Sequence, residues 1–420
     1  MSDIVGASKF CLRGAALLLA AGLCAGPARA QEGDLTSSAG VFIEPRRAKA
    51  GAPRERSTPQ RNAQRRARTR PAPSNNNVPA NPKAPVKTTP AVTAESLNAR
   101  AAAALDEGRF AEAVEPLKQA IKLKPDFADA HYNLGVALNA LGRPDEAVES
   151  LKRAAAIEPD DTEAQFELGE ALYAKGKYAE AAEAFAHVTR IAQVNAEAFE
   201  NLGDSYHALK RYAEAATAYR DAARLKPGDA EILRKLGYAL MRNKQWPEAS
   251  DALKKALALR PGDAETAVNL AWVYNNSGQY RFSIEMLKPF VAANPNETAA
   301  LFNLGTAYGH QAQKGTKNDK EKKALFAQAV ETLNQVIRLK PDWPEAHNNL
   351  GVALGSLGRY KEAIAAHAQA VKLKPDYAGA LFNLAYAYRK SGDKKTALET
   401  YKRLQAVNPG MAERLYEQIK

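Results

Sequence analysis

A chain of 420 residues, 45% hydrophobic and 25% charged, has enough apolar surface for a sizeable core. Its net charge of +12 is uneven: residues 31–93 carry twelve Lys/Arg against four Asp/Glu, while 94–420 is close to neutral. Both cysteines, Cys11 and Cys24, lie in the first thirty residues, which excludes a disulfide framework or a cysteine metal site beyond them.

The chain opens like a secretory signal. Lys9 and Arg13 precede an apolar run from Ala15 to Gly26, followed by Pro27 and Ala28-Arg29-Ala30. Twelve residues of helix rise only about 18 Å, short of a bilayer core of roughly 30 Å. Residues 1–30 therefore read as a cleaved signal peptide of an exported, periplasmic or envelope-associated protein. Lipidation at Cys24 is the rival reading, and Leu23 before it is large for that chemistry.

Residues 31–93 are rich in Pro, Ala, Arg, Asn, Ser and Thr and lack apolar periodicity. Such a composition cannot offset its ordering entropy, so the expectation is a disordered linker. Its arginines concentrate in residues 46–70. That stretch suits docking to an anionic envelope surface. No aromatics interleave these arginines, which argues against nucleic acid as the partner. An apolar island, Ala39 to Ile43, is a candidate for strand addition to a partner.

From residue 94 the chain repeats. Prolines stand at 125, 159, 227, 261, 295, 341, 375 and 409, at intervals of 34 or its double, except for one interval of 46. Asn-Leu-Gly recurs at Asn133, Asn201, Asn303 and Asn349, and Asn-Leu-Ala at Asn269 and Asn383. A fixed period of this length means a repeat array. Each block reads as two amphipathic helices. In the second block, Ala130, Leu134, Ala137, Leu138 and Leu141 have helical spacing up to Gly142, and Ala147, Leu151, Ala154, Ala155 and Ile157 run into Pro159. Small residues hold position eight (Gly135, Gly169, Gly203) and position twenty (Ala147, Ala181, Ala215), where paired helices need close approach.

This pattern resembles the tetratricopeptide repeat (TPR) family. The resemblance covers nine blocks over 94–411: 94–127, 128–161, 162–195, 196–229, 230–263, 264–297, 298–343, 344–377 and 378–411. It implies an all-α, right-handed superhelical solenoid with first helices lining the concave face. Residues 412–420, with Leu415 and Ile419, read as a capping helix. The sequence departs from the pattern at Arg100, at Lys210 and Lys244 (turn glycines elsewhere), and at Gln193, where the others have proline. The seventh block is twelve residues longer, and Gln311 to Lys322 reads as a lengthened turn between its helices.

No room is left for a catalytic domain, and no zinc, P-loop or nucleophile-elbow motif occurs. The six histidines scatter over repeat positions, and His131 and His347 read as core residues. The expected function is a non-catalytic scaffold, without cofactor or metal, that binds protein or peptide partners through a concave groove. The alternative is a targeting subunit of an envelope enzyme or secretion complex, tethered by the basic tail. The candidate groove is the position-six column, Asn133, Asn201, Asn269, Asn303, Asn349 and Asn383, interrupted by Glu167 and Lys235. A carboxamide offers both donor and acceptor to a peptide backbone. The column is similar to the asparagine ladder of the O-linked N-acetylglucosamine transferases. Tyr238, Trp272, Phe302 and Tyr386 are the expected apolar anchors, with Asp129, Glu163, Glu197, Glu231, Glu265 and Glu345 as an acidic position-two row. A two-carboxylate clamp like that of chaperone-tail domains has no matching lysines and arginine here.

Overall fold

The structure, a computed structural model, describes residues 92–419, with the side chains of 417–419 excepted. The expected signal segment 1–30, the arginine stretch 46–70 and the island Ala39 to Ile43 lie outside the described residues. Within them the chain forms nineteen α-helices and one π-turn, with no strand.

Eighteen helices form nine pairs. They are α1 (Ala94–Asp106) with α2 (Phe110–Leu123), α3 (Ala128–Ala140) with α4 (Pro144–Ile157), and α5 (Thr162–Ala174) with α6 (Tyr178–Ile191). Next come α7 (Ala196–Ala208) with α8 (Tyr212–Leu225), α9 (Ala230–Arg242) with α10 (Trp246–Leu259), and α11 (Ala264–Asn276) with α12 (Tyr280–Ala293). The last are α13 (Thr298–His310) with α14 (Asp319–Leu339), α15 (Pro344–Ser356) with α16 (Tyr360–Leu373), and α17 (Ala378–Ser391) with α18 (Lys394–Val407). The final helix, α19 (Pro409–Ile419), begins earlier than residue 412, and its Ala412 and Leu415 are buried against the last repeat.

Local chemistry sets these ends. Thr93 and Ser96 close a reciprocal cap on α1, at 3.1 and 3.0 Å. Asp161 and Asp229 accept from the first backbone N–H groups of α5 and α9. Most first helices end on a left-handed glycine. In α7 and α9 that residue is Lys210 or Lys244, each at φ 60°. The turn survives the missing glycine because its bonds are kept: Arg211 N–H donates to the Tyr206 carbonyl and Gln245 N–H to the Leu240 carbonyl, both at 2.9 Å.

Within a pair, the position-eight residue meets the position-twenty-four side chain. A Cβ added to Gly135 would lie 2.5 Å from Leu151 Cγ, and one on Gly203 would lie 2.6 Å from the Tyr219 ring. The position-twenty residues, Ala113 to Ala397, are all buried. Each fully buried Leu or Phe at this seam stabilises by about 1.5–3 kcal/mol. One pair cannot cover both its faces, so neighbours must stack.

The stacking is asymmetric. First helices touch the next first helix directly: α1–α3, α3–α5, α5–α7, α9–α11, α11–α13, α13–α15 and α15–α17. Second helices do not approach one another as closely. The first helices therefore occupy the shorter, inner side of the curved array.

The seventh pair corrects one expectation. Its surplus is not simply a longer turn. Five residues form a π-turn, Gln311–Gly315, and α14 has 21 residues where the other second helices have 14. Ala312 is buried in the π-turn, so the insertion adds to the core.

Candidate peptide-binding face

The position-six asparagines do not face an open groove. Asn133, Asn201, Asn269, Asn303, Asn349 and Asn383 are each at most 5% exposed. Asn133 Nδ2 donates to Asn98 Oδ1 at 2.9 Å, Asn303 Nδ2 to the Val268 carbonyl at 3.1 Å, and Asn349 Nδ2 to Thr306 Oγ1 at 3.1 Å. Asn383 Nδ2 donates to Asn348 Oδ1 at 3.1 Å. All four bonds cross to the preceding first helix. The expected peptide ladder is thus a set of stitches between repeats. The physical reason is the close approach of first helices, which leaves position six between them. A buried amide is held there only if it is paired.

The anchors divide. Phe302 is buried and stacks on Trp343, ring centroids 4.5 Å apart. Tyr238 is fully buried, and its hydroxyl accepts from Arg242 Nη1 at 2.8 Å. Neither reaches the surface. Trp272 and Tyr386 are half-buried and do reach the surface. Trp272 meets Trp246 edge-on at 5.6 Å, and Lys390 Nζ lies 5.3 Å from the Tyr386 ring.

The breaks in the column are chemically occupied. Lys235 Nζ bridges Glu200 at 2.6 Å and Asp204 at about 3 Å, and Tyr219 donates to Asp204 at 2.7 Å. Arg234 is buried between Glu231 and Glu265, pairing α9 with α11. Burial pushes the Glu231 carboxyl up, but the Arg234 guanidinium holds it below the ordinary value. Arg242 lies 4.5 Å over the Tyr212 ring. Our reading of the sequence missed Arg234, Arg242 and this network. The signal was there: Glu200 and Arg234 replace the aromatic or aliphatic residue usual at position five.

The position-two acids range from buried Asp129 to exposed Glu163, with Glu197, Glu231, Glu265 and Glu345 between. His131 and His347 brace the preceding turns, Nε2 lying 2.9 Å from the Pro125 carbonyl and 2.8 Å from that of Pro341. No group of three or more metal-ligating side chains converges among the described residues.

Tetratricopeptide repeat profiles match residues 98–162, 138–202, 230–263, 344–377 and 379–410, and a TPR repeat profile matches 203–244 and 326–358. The chain belongs to the tetratricopeptide repeat family. No curated protein matches this TPR chain in sequence. Among solved structures, a crystal structure of MamA is 26% identical, over 39% of this chain and 96% of that one, with a TM-score of 0.36. TTC0263, a thermophilic TPR protein in Thermus thermophilus, is 23% identical over 45% and 98%, TM-score 0.38. YrrB, described as a TPR protein with an unusual peptide-binding site, is 22% identical over 48% and 97%, TM-score 0.39.

Proposed function

We propose that this TPR protein is an exported, non-catalytic scaffold that holds a protein or peptide partner along the inner layer of its first helices. The observation that carries this reading is the continuous first-helix layer. It carries half-buried Glu231 and Arg242 on α9, Trp272 on α11 and Tyr386 on α17, an aromatic and charged mixture common at binding surfaces. The position-six amides act behind that surface, holding its curvature. The binding contacts come from positions two, nine and thirteen. Among the described residues no helix is long and apolar enough to cross a membrane.

Export rests on Lys9, Arg13, the apolar run and Ala28-Arg29-Ala30. Envelope contact rests on the arginines of 46–70. N-terminal mass spectrometry of native protein is expected to find Gln31 first; Met1 on most molecules refutes export. For the groove, partner captured from the native source is titrated against Trp272→Ala and, as control, Phe282→Ser on the exposed flank of α12. Loss with Trp272→Ala alone supports the inner face. Loss with Phe282→Ser alone moves binding to the outer face.

A further inference from the structure

Helices α15, α16 and α17 line a partly open cavity of about 170 Å³, to which first helices α15 and α17 contribute most of the residues. Gly355, at position twelve of the eighth repeat, is part of its lining. Most other repeats carry a side chain there, such as Leu105, Tyr173, Met241 or Asn275, and the seventh carries Gly309. A Cβ added to Gly355 would meet nothing nearer than Ala363 Cβ at 3.8 Å, so the space is open.

The floor of this cavity is unusual for the array. His367 stands where Leu117, Leu151, Leu253, Leu287 and Leu333 pack in other repeats. Its ring is 2% exposed and lines the cavity beside Asn383. Nδ1 lies 3.0 Å from Asn348 Oδ1, which also accepts from Asn383 Nδ2. An amide oxygen only accepts, so Nδ1 carries the proton and Nε2 carries a lone pair. Nε2 has no hydrogen-bond partner among the described residues. Burial keeps the ring neutral, its pKa lowered to about 3. The floor thus offers a hydrogen-bond acceptor. Tyr360 and Tyr386, both half-buried, supply aromatic walls, and exposed Lys390 stands at the mouth.

These features select a ligand. An acceptor at the floor calls for a hydroxyl or N–H donor and repels a carboxylate. A positive mouth disfavours an ammonium group. An aliphatic hydroxyl would leave most of the volume empty, whereas a cavity of roughly 150 Å³ holds one benzene ring. Tyrosine walls favour an aromatic guest. We propose that this cavity receives the phenol ring of a tyrosine side chain from a bound segment, its hydroxyl donating to His367 Nε2. The assignment rests on the inner-face reading above and names the residue that face selects. Residues 1–93 contain no tyrosine, so that segment does not supply the guest.

The test uses p-cresol as the probe on the full chain, with toluene and indole beside it, by calorimetry and histidine ¹⁵N chemical shifts. p-Cresol is expected to bind one site with millimolar affinity and to move the His367 Nε2 resonance. Toluene, lacking the hydroxyl, should bind about tenfold more weakly. His367→Leu restores the residue of five other repeats and should bring p-cresol down to the toluene level. Gly355→Leu, which copies Leu105, should abolish both; circular dichroism confirms that each variant folds. Equal affinities for p-cresol and toluene, unchanged p-cresol binding in His367→Leu, or no p-cresol binding would each overturn the proposal. Indole binding more tightly than p-cresol would overturn the assignment to tyrosine. p-Cresol binding as expected, with partner affinity untouched by Trp272→Ala, would leave the cavity standing and the inner-face reading refuted. The reverse pattern refutes the cavity alone.

Discussion

Asn303 Nδ2 donates a 3.1 Å hydrogen bond to the carbonyl of Val268, one repeat earlier, and the Asn303 carbonyl accepts one from Asn275 Nδ2 at 3.1 Å. Side chain and backbone of one residue thus tie α13 to α11. Both bonds are buried, so they act on stability before they act on any partner.

Asn303→Ala is therefore expected to destabilise the array by about 1–3 kcal/mol, through a lost buried hydrogen bond and the space left behind. An exposed groove residue would cost within about 0.5 kcal/mol. Urea unfolding of the purified chain distinguishes the two. A midpoint unchanged from wild type would return Asn303 to the surface.

Lys235 is expected to behave as the hub of a buried ion network. Lys235→Met leaves Glu200 and Asp204 buried without their cation, at a cost of about 3–5 kcal/mol. The triple variant Lys235→Met, Glu200→Gln, Asp204→Asn should be much closer to wild type, because no uncompensated charge remains. Thermal unfolding at low and high salt checks this, and a loss below about 1 kcal/mol in the single variant would mean a solvated pair.

The two left-handed lysines carry a local cost. Lys210→Gly and Lys244→Gly remove a side chain from φ 60° and should each raise stability by about 0.5–1 kcal/mol. Differential scanning calorimetry on each variant reads this directly. A fall in stability would show that the lysine side chains contribute contacts outweighing the strain.

His367 gives the array an acid sensitivity of known sign. Its pKa falls from 6.5 in the unfolded chain to about 3 in the folded one, because burial disfavours the imidazolium. Between those values the unfolded chain binds a proton that the folded chain refuses. Stability therefore falls as pH drops below about 6.5 and levels off near 3, with no effect above 6.5. At pH 4.5 the contribution is about 2–3 kcal/mol, from 1.36 kcal/mol per unit. His367→Leu should lose that part of the acid slope. Urea midpoints of both chains at pH 4.5 and 7.5 measure it, and identical slopes would contradict the burial of the ring.

The 34-residue period, the small residues at positions eight and twenty and the proline after all but one of the second helices determined the fold by themselves. Each is a local steric or conformational requirement written in one residue type, and Gly135 against Leu151 obeys it as expected. The sequence also located the seventh-repeat insertion but not its form. Whether Gln311 to Lys322 loops or coils depends on what Ala312 finds to pack against. Only the tertiary structure decided that position six faces the preceding repeat. Its amides have the same chemistry whether they greet a peptide or the carbonyl of Val268, and the spacing between first helices chooses. The same holds for Glu200, Arg234 and Lys235, whose charges neutralise one another only across repeats. Gly355 and His367 lie twelve residues apart and read separately as a helix glycine and a stray histidine. Stacking of α15, α16 and α17 makes them the open roof and polar floor of one cavity, because that space belongs to three helices at once.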